Sequence, residues 1–138
     1  MRLLLDTHVI VWAAADEGRL DPRTAKLLRN PKNELWISAV SAWELAMLAE
    51  RGRLTLLPDA GRWLEAAVAG LGLHEAALTS AIALESRQLD VPTEDPTDRF
   101  IAATARAHGC TLVTADEALA HIPGQRVLRC RPVRRLRR

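Results

Sequence analysis

Four acidic residues stand at the junctions between apolar runs and the segments that follow them. Asp6 ends Arg2-Leu-Leu-Leu, Glu44 follows Glu34-Leu-Trp-Ile-Ser38, Asp98 comes just after Asp95-Pro96, and Asp116 follows Cys110-Thr-Leu-Val-Thr114. If the apolar runs are parallel strands, Asp6, Glu44 and Asp116 approach one carboxyl edge, where open α/β sheets form their ligand crevice. Asp98, in the first turn of its own helix, can join them there. Carboxylates gathered in a small volume repel and raise one another's pKa, so folding alone does not favour the arrangement. A hard divalent cation reverses that logic, because Mg²⁺ or Mn²⁺ takes oxygen ligands and usually keeps several waters. Such a centre activates water and neutralises charge on a phosphodiester. The expected chemistry is metal-dependent phosphodiester hydrolysis.

Each acid also has a simpler reading. Asp6 could be a turn acid, Glu44 could complete a capping box begun at Ser41, Asp98 could answer the helix dipole, and Asp116 could cap the next helix. The convergence of four at one edge is what favours a site. Asp95, before Pro96, reads only as a structural cap.

The elements that must position these residues follow from pattern. Buried strands are expected at Arg2–Asp6, Glu34–Ser38 and Cys110–Thr114, with shorter ones at Leu71–His74 and Val127–Arg129. Helices are expected from His8 to Ala15, from Asp21-Pro22 to Asn30-Pro31, from Ser41 to Gly52, over about 59–69, over 79–87, from Asp95-Pro96 to Gly109, and briefly after Asp116. Asp98, Ile101, Ala102 and Ala105 share one face of the helix that follows Asp95, and the small residues let it lie close to a sheet. Strands alternating with helices predict an α/β sandwich of three layers, a mostly parallel sheet with helices on both faces.

Length and composition set the frame. The 138 residues make one domain with a core of Leu, Ala, Val and Ile, since there is one Phe and no Tyr. The formal charge of +2 conceals a split, because five arginines fall within Arg131–Arg138 and the first 130 residues carry 14 basic and 17 acidic side chains. The chain therefore divides into a domain over 1–130 and a basic tail over 131–138. Arg131, Arg134, Arg135, Arg137 and Arg138 are candidate contacts to nucleic-acid phosphates, against the plainer reading of a solvated end. Two cysteines make no disulfide framework, so a reduced cytoplasmic setting is expected. Asp6 and His8 interrupt the first apolar run, which is not read as a leader, and no stretch approaches a membrane span. The four histidines lack ligand spacing. Trp12, Trp36, Trp43 and Trp63 read as core or interface anchors rather than base-stacking platforms, with Trp43 singled out by its place beside Glu44.

The series LLLDTHVIVW, WISAVSAWELA, DPTDRFIAATARAHG and LVTAD resembles the PIN-domain nucleases, and within them the VapC-type toxins of toxin–antitoxin pairs. The resemblance covers about residues 1–129. It implies a PIN-like fold in which Asp6, Glu44, Asp98 and Asp116 bind metal, with Thr7 and Thr114 as polar residues lining the site. It also implies Mg²⁺- or Mn²⁺-dependent RNA cleavage, a homodimer or larger toxin–antitoxin assembly, and inhibition by a cognate antitoxin. Trp12, Trp43 and nearby small residues of the early helices would be candidates for the surface an antitoxin helix covers. The chain departs from such relatives at Thr93-Glu94 and Thr97, where a His and an aromatic are frequent.

Rival classes fit less well. A phosphoryl-accepting receiver domain wants paired acids after its first strand and a late Lys, whereas Asp6 stands alone and the only lysines are Lys26 and Lys32. A dehalogenase-like phosphatase needs an Asp where His8 stands. A noncatalytic RNA- or protein-binding module accounts for the arginine tail but not for four convergent acids.

Overall fold

In the computed structural model, which describes residues 1–134, five strands form one wholly parallel sheet. The strands are β1 (Arg2–Leu5), β2 (Glu34–Ser38), β3 (Leu73–Ala76), β4 (Thr111–Thr114) and β5 (Val127–Arg129). Their order is β3-β2-β1-β4-β5. The chain thus builds outward from β1 in one direction, then returns to β1's other side with β4. The gap between the carboxyl ends of β1 and β4 is the switch point of the sheet, the position at which this architecture opens a crevice.

The helices are α1 (Thr7–Ala15), α2 (Pro22–Arg29), α3 (Ala39–Glu50), α4 (Ala60–Leu71), α5 (Ser80–Ser86), α6 (Pro96–Ala107) and α7 (Glu117–Ala120), with a single 3₁₀ turn at Glu17–Arg19. Alternate residues of β1 face opposite layers, as strand pleating requires. Leu4 packs with Ile82, Ile101, Ala102, Ala105 and Leu119, the apolar faces of α5, α6 and α7. Leu3 and Leu5 pack with Val9, Ile10, Ala25, Trp63 and Val68, from α1, α2 and α4. The expected three layers are present. Among the described residues no helix is long and apolar enough to cross a membrane.

Local chemistry accounts for most boundaries. Asp21 and Asp95 cap α2 and α6 with a proline at the first helical position, where its missing N–H costs nothing. Gly109, at φ +64°, ends the α6 segment and turns the chain into β4; the left-handed conformation there suits a residue without a Cβ. Some expected boundaries move. Cys110 lies before β4, β3 runs Leu73–Ala76 rather than 71–74, and α1 starts at Thr7. The largest change is at α3. Strand β2 passes into α3 with no loop, and Ser38, not Ser41, is the N-cap, its hydroxyl accepting from Val40 N at 3.2 Å. Glu44 therefore sits in the second turn of α3, and the capping box built on Ser41 does not exist.

The segment after β5 stays close to the domain. Cys130 N donates to Thr114 O at 2.7 Å, and Val133 N to Arg19 O at 2.8 Å. Arg131 N donates to Asp21 Oδ1 at 3.0 Å. The side chains of Arg131 and Arg134 are exposed. Arg135, Arg137 and Arg138 lie outside the described residues.

Candidate metal centre at the switch point

Asp6 occupies the middle of the crevice because β1 and β4 hold it there. Its backbone N–H donates to Val113 O at 2.9 Å. The Oδ1 atom caps α1 by accepting from Thr7 N at 2.8 Å, and Oδ2 accepts from Thr114 Oγ1 at 2.6 Å. Thr114 in turn orients the next acid, its Oγ1 accepting from Asp116 N at 3.0 Å. Asp116 caps α7 through Oδ1, taking Ala118 N at 2.9 Å. The simpler reading of Asp116 as a helix cap is thus physically realised, Asp6, read more simply as a turn acid, caps α1, and each cap engages only one carboxylate oxygen.

Thr7 links the centre to α3. Its hydroxyl is hydrogen-bonded to Ser41 Oγ at 3.1 Å, and it also reaches the Glu44 carboxylate. Asp98 approaches from the first turn of α6, with Thr93 Oγ1 3.5 Å from its Oδ2. Ser41 and Thr93 were not singled out for this site by sequence. Ser41 looked like a cap, and nothing in the linear pattern marks Thr93 as a neighbour of Asp98.

The four acids share one electrostatic environment. Asp98 has its carboxyl raised to about 7, first by burial and then by Asp116, Asp95, Asp6 and Glu44. Burial also raises Asp6, against the hydrogen bonds from Thr114 and Thr7, and Asp116 adds to the rise. Glu44 is raised by burial and by the charges of Asp6 and Asp95, with the Thr7 hydrogen bond opposing. None of the four has a Lys, Arg or N-terminal partner within ion-pair distance among the described residues. Asp95, read from sequence as a cap alone, caps α6 and also adds its charge to this group.

An all-oxygen donor set whose negative charge is offset only in part, by His8 beside Asp6 and Glu44, suits a hard cation. No three acid, His or Cys side chains among the described residues converge tightly enough to form a finished cage. Mg²⁺ does not need one, since it is commonly held by one or two carboxylates with its remaining positions filled by water. The residues therefore fit a hydrated divalent ion rather than a closed structural site.

A pH dependence follows from the raised carboxyls. The folded chain keeps a proton on Asp98 up to about pH 7, whereas an unfolded Asp releases it near 3.8. The folded state thus binds more protons between these values, and stability must fall as pH rises through that window. Thermal melts in EDTA should show a Tm that declines from about pH 4 to about pH 7 more steeply in wild type than in Asp98→Asn. Adding Mn²⁺ above that window should restore wild type and not the variant. Equal slopes in the two proteins would remove Asp98 from the group.

Comparison with known proteins places this geometry. The sequence model of the PIN domain matches residues 3–125. The chain belongs to the PIN domain family. One relative is Ribonuclease VapC22 of Mycobacterium tuberculosis (strain ATCC 25618 / H37Rv), 38% identical over 120 residues, which span 85% of this chain and 88% of that protein. Among solved structures, VapBC2 from Rickettsia felis, bound to a DNA fragment from its promoter, superposes with a TM-score of 0.66 at 19% identity, over 94% of this chain and 99% of that one. A domain of a functionally unknown protein from Methanocaldococcus jannaschii DSM 2661 gives a TM-score of 0.58 at 14% identity, covering 99% and 96%. At these identities the two structures speak for the PIN fold alone. In this PIN domain, the acids lie at the carboxyl edge of the shared sheet.

Proposed function

We propose that this PIN domain is a metal-dependent endoribonuclease, the toxin of a toxin–antitoxin pair. The observation that carries the proposal is Asp6, held at the switch point by two threonines and within electrostatic reach of the carboxyls of Glu44, Asp98 and Asp116. The kinship with Ribonuclease VapC22 supports RNA as the substrate, and the fold it shares with VapBC2 supports an antitoxin as the partner. Asp6, Glu44, Asp98 and Asp116 would hold Mg²⁺ or Mn²⁺. When bound, the ion would supply an activated water and charge neutralisation at the scissile phosphate. Thr114 and Thr7 fix the Asp6 carboxylate between them, so its position is set before substrate arrives. Asp98, protonated in the metal-free chain up to about pH 7, would have to be ionised to serve as a ligand.

The test is cleavage of a labelled RNA with Mn²⁺ or Mg²⁺ and with EDTA, for the chain alone and co-expressed with the small reading frame beside its gene. Cutting should require the metal and stop in the co-expressed complex. Cutting that persists in EDTA, or no cutting with either ion, would sink the reading. A homodimer working in the cytoplasm accords with this role, and equilibrium sedimentation of the isolated chain reads the stoichiometry.

The arginine tail offers a nonspecific grip on RNA, which the mildly acidic body would otherwise repel. Deleting residues 131–138 should weaken RNA binding evenly across sequences and flatten its salt dependence by about 0.7 log units per lost phosphate contact. An unchanged slope reduces the tail to a solvated end.

A further inference from the structure

A groove of about 850 Å³ opens beside the acids and is not used by the chemistry described so far. One wall is a ridge of α3. Trp43, Met47 and Arg51 recur at i, i+4 and i+8 on one face of the helix, with Glu44 and Leu48 in the adjacent row. Phe100 of α6 and Arg53, which follows α3, also line the groove. Trp43 is 61% exposed, an unusual state for the largest apolar side chain. It was expected to anchor a core or an interface. Arg51 and Arg53 are also exposed, and among the described ion pairs neither has an acidic partner.

The order of chemistry along α3 matters more than its composition. Glu44 lies at the acidic centre with Trp43 next to it, while Arg51 caps the far end of α3 and Arg53 follows just beyond the Gly52 turn. We infer that this groove is the substrate's strand-binding channel, in which Trp43 stacks a base adjoining the scissile phosphate while Arg51 and Arg53 hold a phosphate further along the same RNA strand. The inference rests on the ribonuclease reading and adds to it the residues that choose which nucleotide lies beside the cut. Sequence-tolerant single-strand binders combine these parts, an exposed aromatic platform and a basic track. Charge decides the occupant. A polyanion meets Arg51 and Arg53 at one end of the groove, where they offset the two carboxylates that line it, Glu44 and Asp95. Half-buried Phe100 gives the opposite wall an apolar face for the same base.

The experiment measures anisotropy of a fluorescein-labelled single-stranded RNA in EDTA, where it is bound but not cut, across a salt series. Trp43→Leu should weaken binding about tenfold to a hundredfold, the loss typical of one stacked base, and Trp43→Phe should recover most of it. Arg51→Ala with Arg53→Ala should lower the salt slope by about 0.7 for each phosphate contact removed. Cut-site sequencing should show relaxed nucleotide preference in Trp43→Leu. All three side chains are on the surface, so melts should stay at wild type. If wild type cuts RNA but these variants match it in affinity, slope and cut-site preference, the channel is overturned and the ribonuclease reading stands. Variants that bind RNA normally but lose the antitoxin complex would make the groove a protein-docking surface, overturning the inference. Wild type that neither binds nor cuts RNA sinks both.

Discussion

Asp6→Asn should lose RNA cleavage by about a hundredfold or more, equivalent to about 3 kcal/mol of transition-state stabilisation, while the metal-free protein melts no lower than wild type. Both halves follow from the contacts. Asparagine keeps a side-chain oxygen to cap α1 through Thr7 N. Its amide can donate to Thr114 Oγ1, at the cost of the short bond that Thr114 now gives Oδ2. That loss is offset because the buried carboxylate resists ionisation, and replacing it removes both the desolvation cost and the repulsion from Asp116. The charge that a hard cation needs is gone, however, and binding geometry cannot replace it. Glu44→Gln should act in the same way but less steeply, since Glu44 is only half-buried. Cleavage at limiting and saturating Mn²⁺, set beside an apo melt, checks both variants. An Asp6→Asn protein that melts and cuts like wild type would take Asp6 off the site.

The largest stability effect is expected away from the acids, at Arg99. This residue follows Asp98 on α6 but is 7% exposed, its guanidinium buried beneath the chain that joins α5 to α6. Nε donates to Ser86 O at 2.9 Å, Nη2 to Leu89 O at 2.7 Å, and Nη1 to Val91 O at 3.2 Å and Thr93 O at 3.0 Å. One planar fork thus gathers four carbonyls, the last of α5 and three of the loop, of which Leu89 O and Val91 O also accept a backbone N–H within the loop. Arg99→Ala should cost about 3–5 kcal/mol, because it leaves a void and removes donors from buried acceptors. Arg99→Lys should fall between, since a single ammonium cannot reach all four. The loop carries Thr93 to Asp98, so surviving activity should need more metal. Urea unfolding is the direct measure. A loss below about 1 kcal/mol would show that the loop holds itself.

Arg99 also marks a limit of sequence reading. After an acid in the first turn of a helix, an Arg looks like solvated charge, and only the path of the preceding loop makes it an interior group. Linear pattern was sufficient where the cause is local. The Asp-Pro caps of α2 and α6, the Gly109 turn and the apolar strands were all legible, and so was the arrival of Asp6 and Asp116 at strand ends. It was insufficient where a tertiary choice decides. Ser38 and Ser41 are both competent caps, and α3 begins at the first because Ser38 still pairs in register with Ala76 of β3. The strand order that puts β1 beside β4 has no local signature at all. Trp43, read as a core or interface anchor, is not in the core, and its exposure depends on how α6 and the chain after α3 border it.

The bond from Thr114 to Asp6 joins residues 108 positions apart in the chain. The site's two halves are therefore made far apart in the synthesis of the chain. Until β4 has left the ribosome, β1 lacks its neighbour on that side, Asp6 Oδ2 lacks the Thr114 hydroxyl, and Asp116 does not yet exist within the fold. Closure of so long a loop comes late and only with the sheet itself. Assembly of the acidic centre is thus tied to synthesis of β4, and any cleavage that rests on it waits until residues 111–116 have joined the sheet.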